Sequence, residues 1–441
     1  PLVALMEDQE EGLREYGVDR IVTLSSQQGN LQRDIKRTQN GEFQFIFLTP
    51  ERLQTPRFRE SLRGLSQTSM INLAVIDEAH CVSEWGHEFR PAYLNVSRNI
   101  RNLGKDQHGE PPPITALTGT ASRSVLRDIL ADLDINSSDD RSVIRPNSFD
   151  RSELNFYVRK ADSPNYSETT LSGTIKSLPD KFNVPHDNFF SPNGDETFSG
   201  IVFVPFVAKR VTTPYGLRST QQIVQDATEQ SCTIYGGSSP FGDNSDWNIE
   251  KRRNVKAFKS NKTPLLVSTK AYGMGIDKPN IRFTIHYGIP SSLEMFYQEA
   301  GRAGRNRKDS HCGIIFTEYS ENRTNELLNP AINLEELRAK YKEYGNSLIE
   351  RDDLNRQLFF HLNTFTGEEE EIFEINGIVE SIEDLDMDHS RELGFGTGQV
   401  KREKALYRLT RIGVLNDYEV DYGSRKFTIH INAFNLEHCK E

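Results

Sequence analysis

At 441 residues the chain has room for two or three domains of roughly 100–200 residues each; with 36% hydrophobic and 27% charged residues it has an ordinary globular composition, free of collagen-like, mucin-like or repeat bias. The most apolar uncharged stretch, Phe198 to Ala208, falls far short of the ~20 residues a helix needs to cross a bilayer, which excludes an integral membrane protein of that kind. Cysteines at 81, 232, 312 and 439 form no C-x-x-C pair, so a disulfide scaffold and a Cys-type zinc site are not expected and a reducing cytosol is the default; with a net charge of −11, any polyanion must be met by local basic patches.

The chain opens Pro1-Leu2-Val3-Ala4-Leu5-Met6-Glu7-Asp8-Gln9, with neither an initiating Met nor a signal region. The expectation is a fragment that starts inside a domain, with a processed terminus as the alternative. Short β-rich runs then alternate with helical patterns: Phe45–Leu48, Leu73–Ile76, Ile114–Leu117, Gly200–Val204, Leu265–Ser268, Phe283–His286 and Gly313–Phe316. Continuous apolar runs of this kind suit strands buried on both faces of a parallel sheet, with ligands bound past their C-terminal ends. Two tandem α/β units follow, 1–149 and 150–328, with a boundary near Asn147–Ser152. Residues 163–197 read as including a surface insertion. From 329 to 441 the pattern changes to helices, with a four-carboxylate run at Glu368–Glu371. A helix over Lys401–Ile412 and a hairpin over Asp417–Tyr422 and Lys426–Ile431 then give the outline of a winged helix.

Asp77-Glu78-Ala79-His80 follows directly on a buried strand. Two adjacent carboxylates at a strand end are what phosphoryl transfer with Mg²⁺ needs: Asp77 to hold the cation through water, Glu78 to polarise the attacking water. A chance acidic turn is the alternative for four letters alone. The run continues Cys81-Val82-Ser83-Glu84-Trp85-Gly86-His87-Glu88-Phe89-Arg90-Pro91-Ala92-Tyr93, and with it the sequence resembles the RecQ family of superfamily-two DNA helicases. The resemblance covers roughly residues 1 to 320, with the family's motifs in order. They are Pro1–Gln9 (Ia), Leu48–Leu53 (Ib), Ala116–Ala121 (III), Gly200–Val204 (IV, weaker), Ser268–Lys278 (V) and Gln298–Arg305 (VI).

The motif residues have physical tasks of their own. Gln298-Glu299 followed by Arg302 and Arg305 reads as a helix carrying two guanidinium groups toward one side, able to clamp a γ-phosphate. The Gly273-x-Gly275 turn before Asp277 suits a tight backbone facing a nucleotide or a domain interface. Trp85 and Phe89, beside His87 and Arg90, offer rings to stack on bases and a cation for phosphate, unless Trp85 is simply a core residue. Lys401, Lys404, Arg408 and Arg411 share one helical face beside Ala405, Leu409 and Ile412. That stripe suits phosphate contact, or else balances the acidic run at 368–371.

Two family features are missing. No G-x-x-x-x-G-K-[ST] phosphate loop occurs, the only Gly-Lys pair being Gly104-Lys105, and no four-cysteine zinc module follows motif VI. Truncation ahead of Pro1 would explain the first, and would leave the chain a poor ATPase as written. A zinc-less helical region containing Arg356-Gln357-Leu358-Phe359-Phe360-His361 stands in for the second.

The fold expected is α/β, with two RecA-like parallel-sheet domains plus a C-terminal helical and winged-helix-like region. The resemblance implies an ATP-dependent, Mg²⁺-dependent helicase acting on single-stranded and duplex DNA in the 3′→5′ direction. ATP would lie in the cleft between domains, with His80 linking the site to motif III. A non-catalytic nucleic-acid-binding relative and an RNA-directed superfamily-two helicase are the rivals. Nothing points to a membrane, and no protein partner is legible.

Overall fold

The computed structural model describes residues 3–25, 30–83, 90–119, 121–136, 139–145, 148, 150–207, 215–242, 246–272, 277–344, 352–364, 368–383, 390–396 and 398–432. The chain divides into two compact units, one of Pro1–Arg145 with Thr366–Glu441 and the other of Pro146–Phe365. The tail that the sequence marks off at 329 is therefore shared: its first part belongs with the second unit and its winged-helix-like part with the first.

In the first unit the described strands form two parallel pairs. They are β1 (Ile21–Leu24) with β2 (Phe45–Leu48), and β3 (Ala74–Ile76) with β4 (Ile114–Ala116). Helices pack beside them by burying one stripe. The helix Arg123–Asp132 is capped by Ser122, whose hydroxyl accepts from Val125 N–H at 3.3 Å, and it sinks Val125 and Ile129 into a core with Leu24, Phe58, Ile76 and Ala79.

In the second unit the described strands form a six-stranded, wholly parallel sheet. Its strands are β5 (Leu154–Lys160), β6 (Ser199–Phe203), β7 (Cys232–Tyr235), β8 (Leu265–Ser268), β9 (Ile281–Tyr287) and β10 (Ser310–Phe316), in the order β5-β10-β9-β6-β8-β7. Alternate residues feed opposite layers. Val202, Leu265, Val267 and Ile285 pack on one side with Leu171 and Val224, while Ile201, Phe203 and Leu266 pack on the other with Phe258, Phe296 and Ala300. The stretch 163–197 corrects the expectation of a surface insertion. Its helix Ser167–Lys176 buries Leu171 and Ile175, and Phe189 and Phe190 join the same core. Its polar composition reflects the turns and hides the aromatic payload.

The tail comprises the helix Glu368–Glu383, β11 (Ser390–Gly394), the helix Gln399–Arg411, β12 (Leu415–Asp421) and β13 (Lys426–Ile431). The strands form an antiparallel sheet in the order β11-β13-β12, the helix-plus-hairpin outline that the sequence predicts. This body is seated on the α/β layer of its own unit. Arg59, 2% exposed, pairs with Asp417 and with Glu419 at 3.2 Å, while Arg98 reaches Asp417 at 2.7 Å. Tyr407 donates to Asp132 at 2.9 Å. A buried charge such as that of Arg59 is retained only when paired, and here its partners come from β12. Among the described residues no helix is long and apolar enough to cross a membrane.

Glu403 makes the seat sensitive to pH. Its carboxyl is 2% exposed, and burial pushes it from an ordinary 4.5 up to about 7, against hydrogen bonds from Gln399 and Gln54 that act the other way. Glu51, Tyr418 and Tyr422 face it, with Arg52 and Arg90 beside Tyr422. The fold holds the neutral acid, so its contribution is complete below pH 4.5 and is lost as pH rises toward and through about 7. That loss amounts to about 3 kcal/mol. Glu403→Gln should therefore be more stable than the parent at pH 8 and equal to it near pH 4.5, in urea unfolding followed by circular dichroism. Equal destabilisation at both pH values would show that the carboxyl is held charged.

Candidate active site

β3 ends at Ile76, and the chain turns at once. Glu78 adopts a left-handed backbone (φ 50°, ψ 45°), rare for a residue with a side chain, and opens a short turn over Ala79–Val82. The turn is tied to the end of β4: Leu117 N–H donates to Ile76 O at 2.8 Å and Ala79 N–H to Leu117 O at 2.9 Å. Asp77 and Glu78 are thereby held half-buried at the C-terminal end of the strand pair. Asp77 Oδ1 accepts from Glu78 N–H at 2.9 Å.

His80 is 1% exposed beneath them. Its Nδ1 lies 3.1 Å from Thr118 Oγ1 and 3.3 Å from Glu78 Oε2, so one imidazole touches both the acidic pair and the segment after β4. Tyr93, which the sequence reading passed over, donates its hydroxyl to Asp77 O at 3.1 Å. Burial pushes that phenol far above its ordinary value, which keeps it a neutral donor. Arg90 pairs with Glu51 and lies 5.6 Å from the centre of the Tyr93 ring. Trp85, His87 and Phe89 lie outside the described residues.

In the second unit the helix expected to carry both arginines corrects itself: it spans Leu293–Ala300 and stops before them. Gly301 caps it, and Gly304 turns with φ 65°, so Arg302 and Arg305 stand on a turn. Arg302 is 5% exposed, and Arg305 is open enough to reach Asp277 Oδ1 at 2.7 Å. The structure thus joins Asp277 to Arg305. Gln298 sits half-buried on the helix, and its neighbour Glu299 is fixed by His286 at 2.8 Å, a buried contact that the strand pattern did not disclose. Gly273 and Gly275 lie outside the described residues. Gly104 is the C-cap of the helix Val96–Leu103 and not part of a phosphate loop.

The basic stripe of the tail meets acid. Lys401 Nζ is 2.5 Å from Glu370, Lys404 Nζ is 3.9 Å from Glu371, and Arg408 Nε donates to Glu371 at 2.8 Å. The acidic run forms the first turn of the helix Glu368–Glu383, where carboxylates complement the helix dipole. Any phosphate would compete with these carboxylates.

No group of three or more His, Cys, Asp or Glu side chains able to cage a metal ion occurs among the described residues. A single strand-end carboxylate does suit Mg²⁺, which keeps several waters and shares its remaining ligands with phosphates.

Comparison with known proteins identifies the domains that carry these segments. Residues 1–129 match the DEAD/DEAH box helicase family and residues 201–307 the helicase conserved C-terminal domain. The chain is 32% identical over 310 residues to the probable ATP-dependent DNA helicase RecS of Bacillus subtilis (strain 168), covering 70% of this chain and 53% of the relative. It is also 32% identical over 318 residues to the ATP-dependent DNA helicase RecQ of the same organism, covering 72% and 46%. The chain thus spans about half the length of the curated relatives it matches. Among solved structures, the Mycobacterium smegmatis helicase Lhr bound to ssDNA and AMP-PNP aligns with a TM-score of 0.51 at 13% identity, over 99% of this chain and 52% of that one, a likeness of fold. Motif order, paired domains and relatives converge: the chain belongs to the superfamily-two helicases and, within them, to the RecQ family.

Proposed function

We propose that this chain forms the motor of an ATP-dependent DNA helicase, which hydrolyses ATP to move 3′→5′ along single-stranded DNA and separate the duplex. The observation that carries this reading is the tie between the acidic strand end and the segment after β4, through Ala79–Leu117 and His80–Thr118. Glu78 polarises the attacking water. Asp77 would hold Mg²⁺ through water, and the ion when bound would supply neutralisation of charge on the phosphates. Arg302 and Arg305 act on the same phosphates, with Gly273, Gly275, Asp277 and Gln298 around the nucleotide. His80, in reach of both Glu78 and Thr118, passes the state of the acidic pair to motif III. On the DNA side, Trp85 and Phe89 stack on bases while His87 and Arg90 meet phosphate. Each base-pair step separated costs about 1.4 kcal/mol.

Glu78→Gln tests the chemical assignment, in a form of the protein that carries a P-loop ahead of residue 1. Glutamine keeps the shape but cannot polarise water as a carboxylate does, so turnover should be abolished while nucleotide affinity stays within about threefold, a shift under 1 kcal/mol. Loss of binding as severe as loss of turnover would give Glu78 a structural role instead.

A second experiment concerns Lys401, Lys404 and Arg408. Glu370→Gln with Glu371→Gln withdraws the carboxylates that face them. Single-strand affinity should rise, and the slope of log K against log salt should steepen by about one to two, near 0.7 for each phosphate gained. An unchanged slope would make the stripe a purely internal counterion.

A further inference from the structure

The turn that bears Arg302 and Arg305 is held by a residue that no motif contains. Arg151 lies three residues before β5, and its side chain is 23% exposed. Its Nη1 donates to Gly301 O at 3.4 Å, and its Nη2 to Ala303 O at 3.0 Å and Gly304 O at 3.2 Å. Its Nε donates to Glu153, whose carboxylate is nearly buried and also accepts from Arg307 at 3.3 Å. One guanidinium therefore gathers three carbonyls of the one turn and is itself aimed by a fixed acid.

The turn needs such a clamp. A helix leaves its last carbonyls without partners, and the two glycines that follow lower the backbone's own preference for any one shape. Gly304 turns back with φ 65°, donates to Ile281 O at 3.0 Å, and leaves so little room that a Cβ there would sit 2.9 Å from Glu153 Cγ. The same acid thus orients Arg151 and walls off the turn. A lysine offers no planar fork and could not span the three acceptors at once.

We propose that Arg151 is the positioning residue for the arginine-bearing turn, setting where Arg302 and Arg305 present their guanidinium groups. The inference rests on the proposed function, in which those two arginines act on nucleotide phosphates. Arg151 touches no substrate and acts through the turn.

A double-mutant cycle in the P-loop-bearing form tests it, with ATP turnover as the readout. A misplacement near 1 Å costs up to about 10²-fold, so Arg151→Met should lower kcat by roughly ten- to hundredfold. KM for ATP should move less than about threefold, because the lost contacts are those made in the transition state. Arg151→Lys should recover part of the rate. In an Arg302→Ala/Arg305→Ala background, Arg151→Met should cost no more than about twofold further, because residues acting through one another are not additive. The same fold-loss in both backgrounds would show a merely structural role and overturn the inference. So would full kcat in Arg151→Met alongside a large loss in Arg302→Ala/Arg305→Ala. Full turnover in Arg302→Ala/Arg305→Ala alone would overturn the phosphate reading itself, and the inference with it. Should Arg151→Met not fold, Arg151→Lys completes the same cycle.

Discussion

One backbone hydrogen bond, from Ala79 N–H to Leu117 O, fixes what lies around it at the acidic strand end. It requires the chain to reverse immediately after Asp77, and the reversal puts Glu78 in the left-handed region. Holding a side-chain-bearing residue there costs of order 1–3 kcal/mol, which the surroundings must supply. They do so from three directions: the extension of the β3–β4 pairing, the Tyr93 hydroxyl on Asp77 O, and the buried His80 ring beneath. With the reversal in place, two carboxylates stand together at the strand end. An extended continuation of β3 would send them to opposite faces.

A second theme is charge kept in house. A chain of net −11 that is to approach a polyanion must present its cations locally. The structure does this sparingly. Arg59 and Arg98 are committed to Asp417, Arg90 to Glu51, and the stripe of the tail helix to Glu370 and Glu371. These pairs seat the winged-helix-like body and brace the turn within Leu48–Leu53. Under the proposed function, DNA binding would exchange these carboxylates for phosphates and would be correspondingly sensitive to salt.

Much of this was legible in the sequence, for identifiable reasons. The strand Leu265–Ser268 is buried on both faces, so its apolar run is continuous and stands out, whereas Ile281–Tyr287 is equally buried although Arg282, Thr284 and His286 interrupt it. The hairpin of β12 and β13 alternates, and its turn carries Gly423-Ser424. Asp77-Glu78 announces itself because two adjacent carboxylates after an apolar run are costly without a task. Less was visible where a role depends on contacts remote in sequence. β5 is an edge strand with an exposed face, so its pattern is weak. Tyr93 meets Asp77 only through the turn between them. Arg151 falls in a stretch that reads as a boundary, because its partners lie about 150 residues away. The arginine-bearing segment reads as helix because Arg302 and Arg305 follow Gln298-Glu299 three residues apart with small residues between them, a signal that outweighs Gly301, which ends the helix.

Under the proposed function, the acidic pair and motif III behave as one unit through His80. Thr118→Val removes the hydroxyl that lies 3.1 Å from His80 Nδ1 and keeps the side chain's shape. Losing one such hydrogen bond is worth about 1 kcal/mol, or roughly a factor of five. In a P-loop-bearing form, ATP turnover without DNA should stay near the parent value, while stimulation by single-stranded DNA and strand separation fall by about that factor or more. Equal loss with and without DNA, or full stimulation in the variant, would contradict the coupling.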